Sequence, residues 1–76
     1  MIAKESTINV AIARTEKHID LLVRKRRKLA RTEPRGRDEE VRINAELELV
    51  SWLVKHERRT LKNLQETRDF KYGVAQ

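Results

Sequence analysis

Apolar residues recur at alternating spacings of four and three along two long stretches of the chain. This is the heptad pattern of a coiled coil, in which one side of each helix faces a partner helix. In the first stretch these heptad core positions are Ile8, Ile12, Thr15, Ile19, Leu22, Arg26 and Leu29. In the second stretch they are Ile43, Leu47, Val50, Val54, Glu57, Leu61, Leu64 and Arg68. The pattern therefore predicts two long helices.

Helix-breaking residues separate the two stretches. Pro34 disfavours helix at the residue before it and cannot lie inside a helix, and Gly36 favours a turn. We predict helices over about residues 6–32 and 38–69, a turn at 33–37 and a short tail at 70–76, with Gly73 marking the helix limit. Ser6 or Thr7 is expected to cap the first helix, and Asp38 the second.

Folding the chain back at this turn aligns the heptad core positions of the two helices in opposite directions. The resulting layers include Leu22 with Val50, Ile19 with Val54 and Thr15 with Glu57. Most layers are apolar on both sides, and the polar Thr15 and Glu57 coincide in one layer, which we expect to fix the register at some cost in stability. The predicted fold class is all-α, an antiparallel two-helix hairpin of coiled-coil type that forms a single domain over residues 1–76.

Residues 41–49 carry a competing signal. Apolar and polar residues alternate there, which is the period-two pattern of a β-strand. We predict helix for this segment, because Ala, Glu and Leu dominate it and it continues into the heptad spacing.

A second set of apolar residues lies outside the heptad core positions. A chain of 76 residues without cysteine has a small core and no disulfide to support it. We expect two hairpins to pair as a homodimer in a four-helix bundle and to bury this set. The alternative is a docking face for a different protein, anchored by Trp52. The residues assigned to this interface are Leu21, Val23, Ala45, Leu49, Trp52 and Leu53.

The net charge of +6 is concentrated in the first half of the chain, where residues 1–37 hold 11 basic and 4 acidic side chains. Most of these cations are clustered near the turn, in a group called the basic patch below. It comprises Arg24, Lys25, Arg27, Lys28, Arg31, Arg35 and Arg37. These cations could contact nucleic-acid phosphates without sequence preference, or bind an acidic protein. Alternatively, these cations have a structural role. They stabilise the negative end of the helix dipole, and the acidic residues at 38–48 offset their charge across the hairpin. Arg26, at a heptad core position, is then expected to extend toward Glu46 or solvent.

Catalytic and metal-binding patterns are not found in the sequence. His18 and His56 lack a second ligand at helical spacing, Ser6 and Ser51 lack a nearby base, and no glycine-rich phosphate loop occurs. We therefore expect no enzyme activity, no cofactor and no metal. No run of about 18 apolar residues and no signal-peptide pattern occur, which predicts a cytoplasmic protein that does not contact membranes.

The tail leaves the heptad pattern and carries two of the three aromatic residues of the chain. We expect Phe70 and Tyr72 to fold back over the open end of the bundle, because burying two aromatic rings is favourable. The alternative is a short ligand segment for another protein.

Residues 15–29, TEKHIDLLVRKRRKL, resemble the spacer helices of type I restriction specificity subunits, which also form antiparallel coiled coils. The architecture is similar to that of small plasmid-encoded hairpins that dimerise and bind RNA, and small charged chains are common in phages and mobile elements. These likenesses imply a helical hairpin and transfer no function. We expect a non-enzymatic regulator, inhibitor or assembly factor that acts through protein contacts. The alternative is a sequence-nonspecific RNA- or DNA-binding protein.

Overall fold

The computed structural model describes residues 5–72, which form two α-helices packed against each other. Helix α1 spans Glu5–Arg31 and helix α2 spans Arg37–Lys71. The Cα trace measures 56 × 24 × 14 Å. At about 1.5 Å per residue, α2 extends along almost the whole long axis. The predicted two-helix fold is confirmed, and residues 41–49 are helical.

The heptad core positions form the contact between the two helices. The buried side chains all occupy these positions and are Ile8, Ile12, Leu22, Ile43, Val50 and Val54. Every other heptad core position in residues 5–72 is partly buried. Leu22, Val50 and Val54 form one cluster, against which Leu29 packs. The predicted proximity of Leu22 and Val50 is thus confirmed, and with the short connection it makes the helices antiparallel.

The two polar residues predicted to share a layer are partly buried, but each bonds elsewhere. The Thr15 hydroxyl donates a hydrogen bond to the Ala11 carbonyl at 2.8 Å, as is common for threonine inside a helix. The Glu57 carboxylate lies 3.1 Å from His18 Nδ1 on α1, whose side chain is 54% exposed. Glu57 therefore links the two helices through the rim of the contact.

The end of α1 is defined by hydrogen bonds from Thr32. The Thr32 backbone N–H donates to the Leu29 carbonyl at 3.2 Å, and its hydroxyl donates to the Lys28 carbonyl at 2.7 Å. These bonds occupy two of the carbonyls that a helix end leaves without a partner. Because Pro34 cannot continue the helix, the chain turns at this point.

The predicted caps of both helices are wrong. Glu5, the first described residue, is already part of helix α1, so Ser6 and Thr7 lie inside the helix rather than before it. The N-cap of α2 is Gly36, in extended conformation with φ −176° and ψ 178°, and it makes no side-chain capping bond. Asp38 lies in the first turn of α2 and does not cap the helix. Its negative charge there interacts favourably with the positive end of the helix dipole.

Helix α2 continues past its predicted end and includes Phe70. The Phe70 side chain is 89% exposed, so the prediction that it folds back over the open end is wrong. The reason is geometric. Phe70 is two helical residues beyond the core position Arg68, so it lies about 200° around α2 from that position and points away from α1. Tyr72 is partly buried, and its N–H donates to the Arg68 carbonyl at 2.7 Å. The remainder of the predicted tail, residues 73–76, lies outside the described residues.

Two adjacent leucines provide a matched test of the helix contact. We expect Leu22→Ala to lower the free energy of unfolding by about 2–3 kcal/mol, because it removes buried methyl groups from the central cluster. Leu21→Ala, at a side chain that is 53% exposed, should change it by less than about 0.5 kcal/mol. Urea unfolding followed by circular dichroism measures both values. Equal losses for the two variants would contradict the packing described here.

Glu57 provides a second test, since it occupies a partly buried core position between Val54 and Leu61. We expect Glu57→Leu to raise the free energy of unfolding by about 1 kcal/mol, because an apolar side chain fits that position better than a carboxylate. The exposed Glu66→Leu is the control and should change it by less than about 0.5 kcal/mol. Destabilisation by Glu57→Leu would mean that the contact with His18 outweighs the added apolar burial.

Candidate functional site

The middle of α2 has an apolar surface on the side turned away from α1. Leu49 is 58% exposed and Trp52 is 59% exposed, and Ala45 is exposed as well. Helical geometry places these three about 120–180° around α2 from its heptad core positions. Leu53 joins this surface to the core, since it is partly buried and packs against the central cluster. These four residues are called the α2 patch below.

An aromatic stack extends the α2 patch toward the C-terminal end of the helix. The rings of Trp52 and His56 are parallel within 4°, with centroids 5.2 Å apart. Lys55 and Arg59 line an open, shallow depression beside this stack. His56 was not assigned to this surface from the sequence, although its spacing of four residues from Trp52 places the two side chains side by side on a helix.

The two remaining residues of the predicted interface, Leu21 and Val23, lie on α1. Leu21 is exposed on the side of α1 turned away from α2, at about 140° from the heptad core positions of α1. Val23 is partly buried and packs against the central cluster. Of the six residues assigned to an interface from the sequence, four are therefore grouped on α2, Leu21 lies on the opposite edge, and Val23 packs against the same cluster as Leu53.

The seven residues of the basic patch are all exposed. Arg24 forms an ion pair with Asp20 at 3.0 Å on its own helix. Arg31 Nε donates to the Arg27 carbonyl at 3.4 Å. These contacts stay within α1.

The acids at 38–48 do not pair with the basic patch. Within residues 5–72, no ion pair joins the two groups, and Arg26 forms none with Glu46. The predicted charge balance across the hairpin is therefore not realised as direct contacts. For Arg24, Lys28 and Arg31 the reason is the direction of the side chains, since these three lie on the side of α1 that faces away from α2.

The basic patch continues along α1 as a longer row. Opposite the heptad core positions, the same spacing of four and three selects seven exposed residues. This row, called the α1 ridge below, comprises Val10, Arg14, Lys17, Leu21, Arg24, Lys28 and Arg31. Five of the seven are cations and none is acidic. Arg14 and Lys17 were not assigned from the sequence, but the heptad spacing of this opposite side could have identified them.

The α1 ridge and the α2 patch lie on opposite edges of the hairpin. The α1 ridge is on the side of α1 opposite its heptad core positions, and the α2 patch is on the corresponding side of α2. The core positions of the two helices face each other between them. One edge of the molecule is therefore cationic, and the other is apolar at its centre. A ligand bound at one edge leaves the other edge accessible.

Comparison with protein-family models, with curated proteins and with solved structures finds no match to this chain. Within residues 5–72, His, Asp and Glu side chains form no group of three that could hold a metal ion. Neither described helix combines the length and the apolar character needed to cross a membrane.

Proposed function

We propose that this protein is a non-enzymatic binding protein that self-associates through the α2 patch and acts as a regulator, inhibitor or assembly factor through protein contacts. The observation that carries the proposal is the exposure of Leu49 and Trp52, 58% and 59%, on the side of α2 opposite the hairpin core. Tryptophan and leucine side chains grouped on one helix face are typical of protein interfaces rather than of a solvated surface.

The small core of the hairpin gives a physical reason for self-association. Its buried side chains number three on each described helix. Full burial of one large apolar side chain contributes about 1.5–3 kcal/mol, so covering Leu49 and Trp52 adds substantially to a hairpin of this size. Chains this small commonly gain the stability that they lack by oligomerisation.

Charges beside the α2 patch favour a second copy of the chain in the opposite direction. Glu48 precedes Trp52, whereas Lys55 and Arg59 follow it, and all three are exposed and form no ion pair within residues 5–72. A two-fold axis near Trp52 brings Glu48 of each copy beside the two cations of the other, and the symmetry makes this contact twice. A parallel pairing would instead place Glu48 beside its own equivalent. The resulting four-helix assembly has the two α2 helices at its centre.

Self-association is tested by substituting one residue on each edge of the hairpin. We expect the wild-type chain to sediment as a dimer at 100 µM, and Trp52→Asp to sediment as a monomer, because a charge within the patch opposes its burial. Leu21→Asp, at a similarly exposed side chain on the opposite edge, should remain dimeric. Circular dichroism should show all three to be helical, because neither substitution touches the core.

Fluorescence of Trp52, the one tryptophan in the sequence, gives an independent measurement. Its emission should shift to shorter wavelength as the concentration of the wild-type chain rises, because dimerisation removes the indole from water. A monomeric wild-type chain at 100 µM, or a dimer that tolerates Trp52→Asp, would contradict the proposed interface.

A further inference from the structure

We propose that the α1 ridge binds the phosphodiester backbone of duplex nucleic acid. This inference goes beyond self-association and uses the opposite edge of the hairpin. The ridge places Arg14, Lys17, Arg24, Lys28 and Arg31 in one row. From the first to the last of these cations the row is about 26 Å long, at 1.5 Å per residue.

The composition of the α1 ridge differs from that of an ordinary solvated helix face. Such a face usually mixes acids and bases, because opposite charges three or four residues apart stabilise a helix and like charges destabilise it. The ridge has no acid among its seven residues, and Arg14–Lys17, Arg24–Lys28 and Lys28–Arg31 are like-charge neighbours at these spacings. Within residues 5–72, only Arg24 of the five cations has an ion-pair partner. A polyanion along the ridge would relieve this repulsion.

The helix dipole accounts for only part of the row. Cations stabilise the last turn of a helix, and this effect explains Lys28 and Arg31. The effect falls off within one turn, so it does not reach Arg14 and Lys17 in the first half of α1. These two cations are therefore the most informative part of the ridge.

Duplex nucleic acid fits the ridge better than a single strand or a membrane does. A single strand is usually held by aromatic side chains that stack on its bases, and the ridge contains none. A helix that lies on a membrane needs an apolar face beside its cations, but the apolar face of α1 packs against α2. A linear row of cations without aromatic residues matches a backbone contact with little sequence preference.

The salt dependence of binding measures how many phosphates the ridge contacts. The probes are fluorescein-labelled 20-base-pair duplexes of random sequence, one of DNA and one of RNA, read by fluorescence anisotropy with the full-length chain. Five phosphate contacts predict a slope of about −4 to −5 for log affinity against log salt with DNA. Affinity should then fall by about 10²–10³-fold between 50 and 200 mM salt. The duplex that binds identifies the nucleic acid.

Paired substitutions distinguish the ridge from general basicity. Arg14→Gln with Lys17→Gln should reduce the steepness of the slope by about 2, because two phosphate contacts are lost. Arg58→Gln with Lys62→Gln removes the same charge from exposed positions on α2 and should leave the slope unchanged. Circular dichroism checks that both variants stay helical.

Three results would overturn the proposal. They are no binding to either duplex at 50 mM salt, equal loss in the two paired variants, and binding to phosphatidylserine vesicles but not to duplexes. Repeating the titration with Trp52→Asp separates this inference from self-association. Binding by that variant supports the ridge whatever the oligomeric state, and loss of all binding in it would overturn the proposal that the ridge by itself binds a duplex.

Discussion

The burial of the heptad core positions between α1 and α2 is the contact on which the other features of this molecule depend. Because these positions face each other, the residues about 180° around each helix must lie on the outer edges of the hairpin. Val54 and Leu22 at the centre therefore determine where Trp52 and the cations of α1 point. The same contact that stabilises the fold also separates an apolar edge from a basic one.

This separation suits a protein that makes two contacts at once. The α2 patch contains no charged residue, and the α1 ridge contains no aromatic residue. If two copies join through α2, their α1 ridges lie on the two outer edges of the assembly. Such an arrangement presents two equivalent cationic rows on opposite sides, which is the geometry needed to hold two segments of a polyanion together.

Much of the fold could be predicted from the sequence, because heptad spacing and a turn that contains Pro34 and Gly36 are local signals with few competing solutions. The surfaces were harder to predict, because residues at the same height of the hairpin need not point the same way. Leu21 lies level with the α2 patch but belongs to the opposite edge. Asp38 has the residue type of a cap, yet the chain begins the helix one residue before it. Phe70 is apolar, but the continuing helix turns it away from the core.

The start of α2 at Gly36 has a consequence for how the hairpin opens. Because Gly36 has no side chain, the amide hydrogens at the very start of α2 have no side-chain acceptor at the N-cap position. At the other extreme, Val54 in the middle of α2 is almost completely buried. Within α2, amide hydrogens should therefore exchange faster in the first turn than around Val54, so that this helix opens more easily at the connection than at its centre.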